Sequence, residues 1–303
     1  MNILSVQNVV KQYANHTAVD HISFDIPSGT IFGLLGPNGA GKTSLIRIIT
    51  CITKADVGQI LFNGTPLNIN TPSEIGYMPE ERGLYKKMKV GEHLIYLARL
   101  KGLSVTEAKA KVGNWLEKFD ITSWWNKKIE ELSKGMSQKI QFIATVVHEP
   151  KLVILDEPFS GLDPINSLLI QDEIIKMQQN GTSIIFSTHR MEQVEEMCHN
   201  IVLINKGKNI LSGEVNQIRQ DFKQNAFRVD FAQEIPESIL QENGVIKKNN
   251  NTIQITQNDL VTMNRWLAEK IQNGNPITGF KEILPTIGEI FIKQVEENNI
   301  ITE

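Results

Sequence analysis

The run Gly36-Pro37-Asn38-Gly39-Ala40-Gly41-Lys42-Thr43 has the residue types, in the order, that hold a polyphosphate. It follows the apolar stretch Ile31-Phe32-Gly33-Leu34-Leu35 and leads into Ser44-Leu45-Ile46-Arg47-Ile48-Ile49, so a strand, a glycine-rich turn and a helix are expected in succession. Backbone N–H groups of such a turn point inward, and the start of the helix adds partial positive charge where phosphate oxygens would lie. Lys42 offers a point charge to the terminal phosphates, and the Thr43 hydroxyl is a hard oxygen ligand suited to Mg²⁺.

Two further stretches carry chemistry. Lys151-Leu152-Val153-Ile154-Leu155-Asp156-Glu157 is a continuous apolar run ending in two carboxylates, the pattern of a parallel strand buried on both faces. Ligands gather at the C-terminal edge of such sheets, where Asp156 is expected to serve a metal ion and Glu157 an attacking water. Leu132-Ser133-Lys134-Gly135-Met136 precedes an amphipathic helix and places a hydroxyl and a glycine at its N-terminus. In isolation that is an ordinary N-cap, but it is also a ready-made anion site.

The elements that must position these residues can be read from periodicity. Alternation from Ile3 to Ile26 predicts short strands of an antiparallel edge layer, with Tyr13 in the polar link between them. Gly58 to Phe62 followed by Asn63-Gly64 predicts a hairpin, and Glu74 to Pro79 a short strand stopped by proline. Helices are predicted over 90–100, 106–119 and about 136–147, the second with a capping box from Ser104 and Glu107, and Trp115, Trp124 and Trp125 as packing anchors. Helix 167–179, strand 183–187, helix 191–197 and strand 201–204 continue a strand–helix alternation that argues for a mostly parallel sheet. From Ser212 to Phe222 the chain turns polar and helical. Strands over 227–231, 245–247, 252–255 and 277–283, with helices over 260–271 and 287–297, then predict a separate small α+β domain.

Composition narrows the class. The 303 residues are 41% hydrophobic and 21% charged, ordinary for a folded chain with ample core. A formal net charge of -3 gives no global basic footprint, so no nucleic-acid partner is expected. Cys51 and Cys198 fit no metal-ligand spacing, and both are expected to be buried free thiols in a reducing cytoplasm. No stretch approaches the ~20 apolar residues needed to span a bilayer. If the chain works at a membrane, a second polypeptide is expected to hold it there.

The order of the phosphate loop, the Ser133 segment and the Asp156–Glu157 strand resembles the ATP-binding subunits of ABC transporters. Their signature is most often Leu-Ser-Gly-Gly-Gln; Ser133 and Gly135 match it, whereas Lys134 and Met136 depart from it. The resemblance covers Met1 to about Arg219 and implies ATP and Mg²⁺ as ligands. It implies a fold with a P-loop NTPase core, an antiparallel β edge layer and a helical subdomain at about 86–149, the whole spanning 1–222. Residues 223–303 would form the α+β accessory domain.

It further implies that Gly36, Pro37, Asn38, Gly39, Ala40, Gly41, Lys42, Thr43 and Ser44 cradle the nucleotide and that Tyr13 stacks on adenine, although a lone Tyr is more often plain packing. Ser133, Gly135 and Asp163, the last in the Ser160-Gly161-Leu162-Asp163 loop, would complete the ATP site of a second subunit, and His189 would stand near the γ-phosphate as the switch histidine. Glu80 stands where most of the family has glutamine. It either reaches Mg²⁺ with Thr43 and Asp156, or points to solvent while Glu81 pairs with Arg82. Residues 77–85, the Lys-Gly-Met variant and the C-terminal extension ending at 284–292 resemble the sodium-exporter-type (NatA-like) branch. The function so implied is the ATP-hydrolysing subunit of an exporter, working with a transmembrane permease and a second ATP-binding subunit at the inner face of the membrane. The alternative is a non-transport ABC ATPase acting on nucleic acid or ribosomes.

Overall fold

The computed structural model describes residues 1–80, 83–188 and 190–300, the side chains of 298–300 excepted. Two compact units divide between Glu214 and Val215; the first also takes in the chain from Gln294 onward.

In the first unit, β1 (Asn2–Tyr13) and β2 (His16–Pro27) are two long strands where short ones were expected, and Tyr13 is the last residue of β1, paired with His16, rather than part of a link. β3 (Ile31–Leu35) is buried at every position and runs into α1 (Lys42–Ile49). β4 (Val57–Phe62) and β5 (Thr65–Pro66) close through Asn63 and Gly64, both at positive φ, as an Asn-Gly turn requires. β6 (Ile75–Met78) stops at Pro79. Three helices follow: α2 (Val90–Leu100), α3 (Val105–Lys118) and α4 (Lys134–Val146). Ser104 and Glu107 form the expected capping box at α3. Trp115 packs edge-on against Phe142, which joins α3 to α4. The Trp125 ring covers Gly91 so closely that an added Cβ would collide with it.

The remainder of the unit alternates: β7 (Leu152–Asp156), α5 (Pro164–Gln179), β8 (Ser183–Ser187), α6 (Met191–Met197), β9 (Asn200–Asn205) and β10 (Lys208–Glu214). β10 corrects the sequence reading, which had Ser212 opening a helical stretch; Ser212 pairs with Val202 in an antiparallel ladder. The main sheet has the order β10-β9-β3-β8-β7-β6, with all neighbours parallel except β10 and β9. The edge layer is the antiparallel sheet β2-β1-β4-β5. Between them lies one core that includes Val19, Ile22, Phe32, Leu45, Ile49, Ile154 and Val202. Cys198 is buried as expected, whereas Cys51 is exposed: it sits at positive φ just past α1, where the chain turns outward.

The second unit contains α7 (Val215–Asp221), β11 (Ala226–Phe231), α8 (Glu237–Leu240), β12 (Val245–Lys247), β13 (Thr252–Thr256), α9 (Leu260–Gln272), β14 (Ile277–Ile283) and the start of α10 (Ile287–Ile300). From β11 to β14 this is a β-α-β-β-α-β unit with the sheet order β12-β13-β11-β14, the ferredoxin-like arrangement. Phe227, Val229, Phe231, Ile253 and Ile255 alternate onto the face that Met263 and Trp266 cover. Glu242 accepts from the Trp266 indole at 2.6 Å and pairs with Lys270 at 2.6 Å, fixing α9 to the turn before β12.

Among the described residues no helix is long and apolar enough to cross a membrane.

Candidate functional site

The phosphate-loop residues form the turn between β3 and α1. Gly36 has φ 150 and lies against the Ile204 carbonyl, and Gly41, the N-cap of α1, has φ 108 and lies against the Ala18 carbonyl. A Cβ at either position would strike backbone, so both the conformation and the close approach require glycine. Ala40 N–H donates to Pro37 at 3.1 Å and Gly207 N–H donates to Ala40 at 2.9 Å, which ties the loop to the β9–β10 turn. The first amides of α1 have no acceptor within the helix and make its N-terminus a donor cluster. Lys42 Nζ donates to the Gly36 and Pro37 carbonyls at 2.7 and 3.1 Å. Burial lowers its pKa, and the charges of Asp156, Glu157 and Glu80 push it back up. Thr43 is exposed at the open side, with Ser44 half-buried beside it and Asn38 and Gly39 exposed at the tip.

Sheet topology brings the acids to the same edge. β8 lies between β3 and β7, with Ser187 level with both Leu34 and Asp156. Asp156 is only 8% exposed, and burial holds its carboxyl above the ordinary carboxylate range; Ser187 lowers it, Glu80 raises it, Lys42 lowers it and Glu157 raises it. Glu157 is half-buried at φ 50, a left-handed conformation uncommon for a residue with a side chain. Its N–H donates to Ser187 at 2.9 Å and its Oε2 accepts from the Thr188 hydroxyl at 3.2 Å, which orients the carboxylate. Glu80 is exposed just past β6, close enough for its charge to act on Lys42 and Asp156.

Other expected residues lie apart from this cluster. Ser133 is exposed, accepts from the Met136 N–H at 3.2 Å and makes its hydrogen bonds, among the described residues, within α4. Gly135 faces Gly161 and Leu162, and the Lys134 stem lies across Gly161, so the Ser133 segment is seated on the loop after β7. Asp163 caps α5, accepting from the Asn166 N–H at 3.0 Å. Tyr13 is 39% exposed at the tip of the β1–β2 hairpin, with Lys11 Nζ 5.6 Å from its ring centre, and β2 continues from there along Gly41. His189 and the Glu81–Arg82 pair lie outside the described residues.

Sequence reasoning missed three polar contributors: Thr188, Gln138 and Gln141. The glutamines stand three residues apart on a buried face of α4, among Ile140, Phe142 and Ile143, and polar residues in that setting are the signal that could have found them.

Comparison with known proteins agrees with this geometry. Residues 19–160 match the ABC transporter family model, and residues 213–295 match the C-terminal domain of DrrA1-3-like ATP-binding proteins. The chain is 50% identical over 220 residues to the uncharacterized ABC transporter ATP-binding protein YhaQ of Bacillus subtilis (strain 168), covering 73% of this chain and 74% of the relative. It is 35% identical over 213 residues to the Nod factor export ATP-binding protein I of Burkholderia pseudomallei (strain K96243), covering 69% and 70%. A solved structure described as the ATP binding subunit of an ABC transporter superposes with a TM-score of 0.68 at 30% identity, over 73% of this chain and 93% of that one. A lysine loop at a helix start, facing two acids across one strand in a chain so closely related to these proteins, places this protein in the ABC transporter ATP-binding family, whose members bind and hydrolyse ATP.

Proposed function

We propose that the chain is the ATP-hydrolysing subunit of an exporter of the sodium-exporter type, acting on a separate transmembrane permease and paired with a second ATP-binding subunit. The observation that carries the reading is the convergence of Lys42, Asp156, Glu157 and Glu80 at one sheet edge. The exporter assignment draws on the likeness to the Nod factor export ATP-binding protein.

In this reading the α1 amides and Lys42 bind and orient the β- and γ-phosphates, and Tyr13 stacks on the base. Glu157, held by Thr188, polarises water for in-line attack; the switch-histidine role that the resemblance implies for His189 belongs to the same reading. Thr43 and Asp156, with Glu80 at the rim, form a donor set of hard oxygens that fits Mg²⁺, which when bound would neutralise charge on the phosphates. Among the described residues no three His, Cys, Asp or Glu side chains form a metal cage by themselves, so nucleotide oxygens and water would complete the shell. The exposed Ser133 and Asp163, with Gly135, act across to the nucleotide of the second subunit.

A cavity of about 330 Å³ between the core and the helical region, lined by Tyr77, Pro79, Leu97, Leu100 and Gln141, is where the permease would dock. The C-terminal unit would be regulatory or an added dimer contact, and the ATP site would be complete without it. The test is affinity capture of the tagged chain from detergent-solubilised membranes. Recovery of a multi-span protein in stoichiometric amount is expected; recovery with ribosomes or nucleic acid alone would favour the non-transport alternative.

A further inference from the structure

The loops that carry Glu80 and Glu157 leave the sheet through prolines, and in each case the carbonyl beside the acid is held by the same helix. Gln141 Nε2 donates to the Pro79 carbonyl, immediately before Glu80, at 2.6 Å. Gln138 Nε2 donates to the Pro158 carbonyl, immediately after Glu157, at 2.9 Å, and lies 3.4 Å from the Glu157 carbonyl. Both side chains belong to the interior, at 2% and 4% exposure for Gln138 and Gln141. β6 and β7 are paired as far as Met78 with Leu155, and β7 reaches β8 through Asp156, with the Glu157 N–H on the Ser187 carbonyl as the last ladder bond; the Pro79 and Pro158 carbonyls lie just beyond these pairings. An amide on α4 takes over where the ladder ends, and the one-turn spacing of the two glutamines matches two adjacent parallel strands.

We propose that Gln138 and Gln141 are positioning residues for hydrolysis. Gln138 adds a restraint on the C-terminal side of Glu157, which stands at φ 50 and is held on its N-terminal side by Ser187, and Gln141 sets the height of Glu80 at the rim. Neither amide touches the nucleotide; each acts through one backbone carbonyl on one carboxylate. The inference rests on the roles given above to Glu157 in activating water and to Glu80 at the metal.

The test is a pair of near-isosteric variants without a donor, Gln138→Met and Gln141→Met, assayed for kcat, ATP affinity and Mg²⁺ half-saturation. Losing a buried hydrogen bond of this kind is expected to shift the quantity it controls by about tenfold. Gln138→Met should lower kcat about tenfold with ATP affinity and Mg²⁺ half-saturation unchanged. Gln141→Met should raise the Mg²⁺ half-saturation while kcat at saturating Mg²⁺ stays within about twofold, and it should add nothing in a Glu80→Ala background. A general loss of folding would move both quantities together in both variants, and that result, or silence in both, overturns the proposal. Where a Met variant does not fold, Gln→Glu at the same position, equal in size but unable to donate when ionised, takes its place; if neither folds, the glutamines are structural only and the proposal fails. Glu157→Gln and Glu80→Ala run alongside separate the two levels. If those leave kcat and the Mg²⁺ requirement unchanged, the underlying roles fail; if they change them and the glutamine variants do not, this inference fails.

Discussion

At the residue scale the site is a stability cost. Asp156 is buried, level with Ser187 and within the field of Glu157 and Glu80, and its raised pKa means that the charged form is disfavoured in the folded chain. A raised carboxylate favours folding only below its unfolded pKa and weighs against it once pH rises through the folded one. Asp156→Asn should therefore raise the melting temperature at neutral pH, by roughly 2–4 °C for each kcal/mol recovered, while abolishing Mg²⁺-dependent hydrolysis. Thermal melts with and without MgATP check this. A lower melting temperature in the variant would mean that Lys42 more than compensates the burial of Asp156.

At the element scale the glycine-rich turn, the buried β7 strand and the capped helices could be read in advance because each has a local signature. Asn63-Gly64 specifies its turn, and Ser104 with Glu107 specifies a helix start. β10 was not legible: Asn209, Ser212 and Gly213 have no strand propensity, and the segment is extended because β9 offers a free edge. The exposure of Cys51 is likewise set by where the chain leaves α1. The site loops lie at the sheet edge where the sequence predicts them, but their restraints on α4 are contacts more than fifty residues apart in one case, Gln141 to Pro79, and no local pattern encodes such a pairing.

The helical region also carries a pH-sensitive element. His93 on α2 is fully buried, edge-on to Tyr85, and among the described residues neither ring nitrogen has a hydrogen-bond partner. Burial lowers its pKa to about 4. A depressed imidazole stabilises the fold fully above its unfolded pKa of 6.5, and that contribution, about 3 kcal/mol in all, is lost as pH falls from there toward 4. His93→Leu should flatten the dependence of unfolding free energy on pH across that window. Denaturant titrations at pH 7 and pH 4.5 would show it; an unchanged slope would place the acid sensitivity elsewhere.

At the scale of the whole molecule, Ser133 and Asp163 are on the surface, while Lys42, Asp156 and Glu157 share the sheet edge of their own subunit. That division is what a site completed by a neighbour requires. If Glu157 activates water in such a shared site, the ATP turnover of Glu157→Gln, with its bound nucleotide and its mass in solution recorded under MgATP, will show it. The amide cannot accept a proton. Turnover should therefore fall by about 10²–10⁴-fold while ATP binding persists, and the trapped protein should run at the mass of a dimer. Turnover equal to that of the unaltered chain would remove Glu157 from the chemistry.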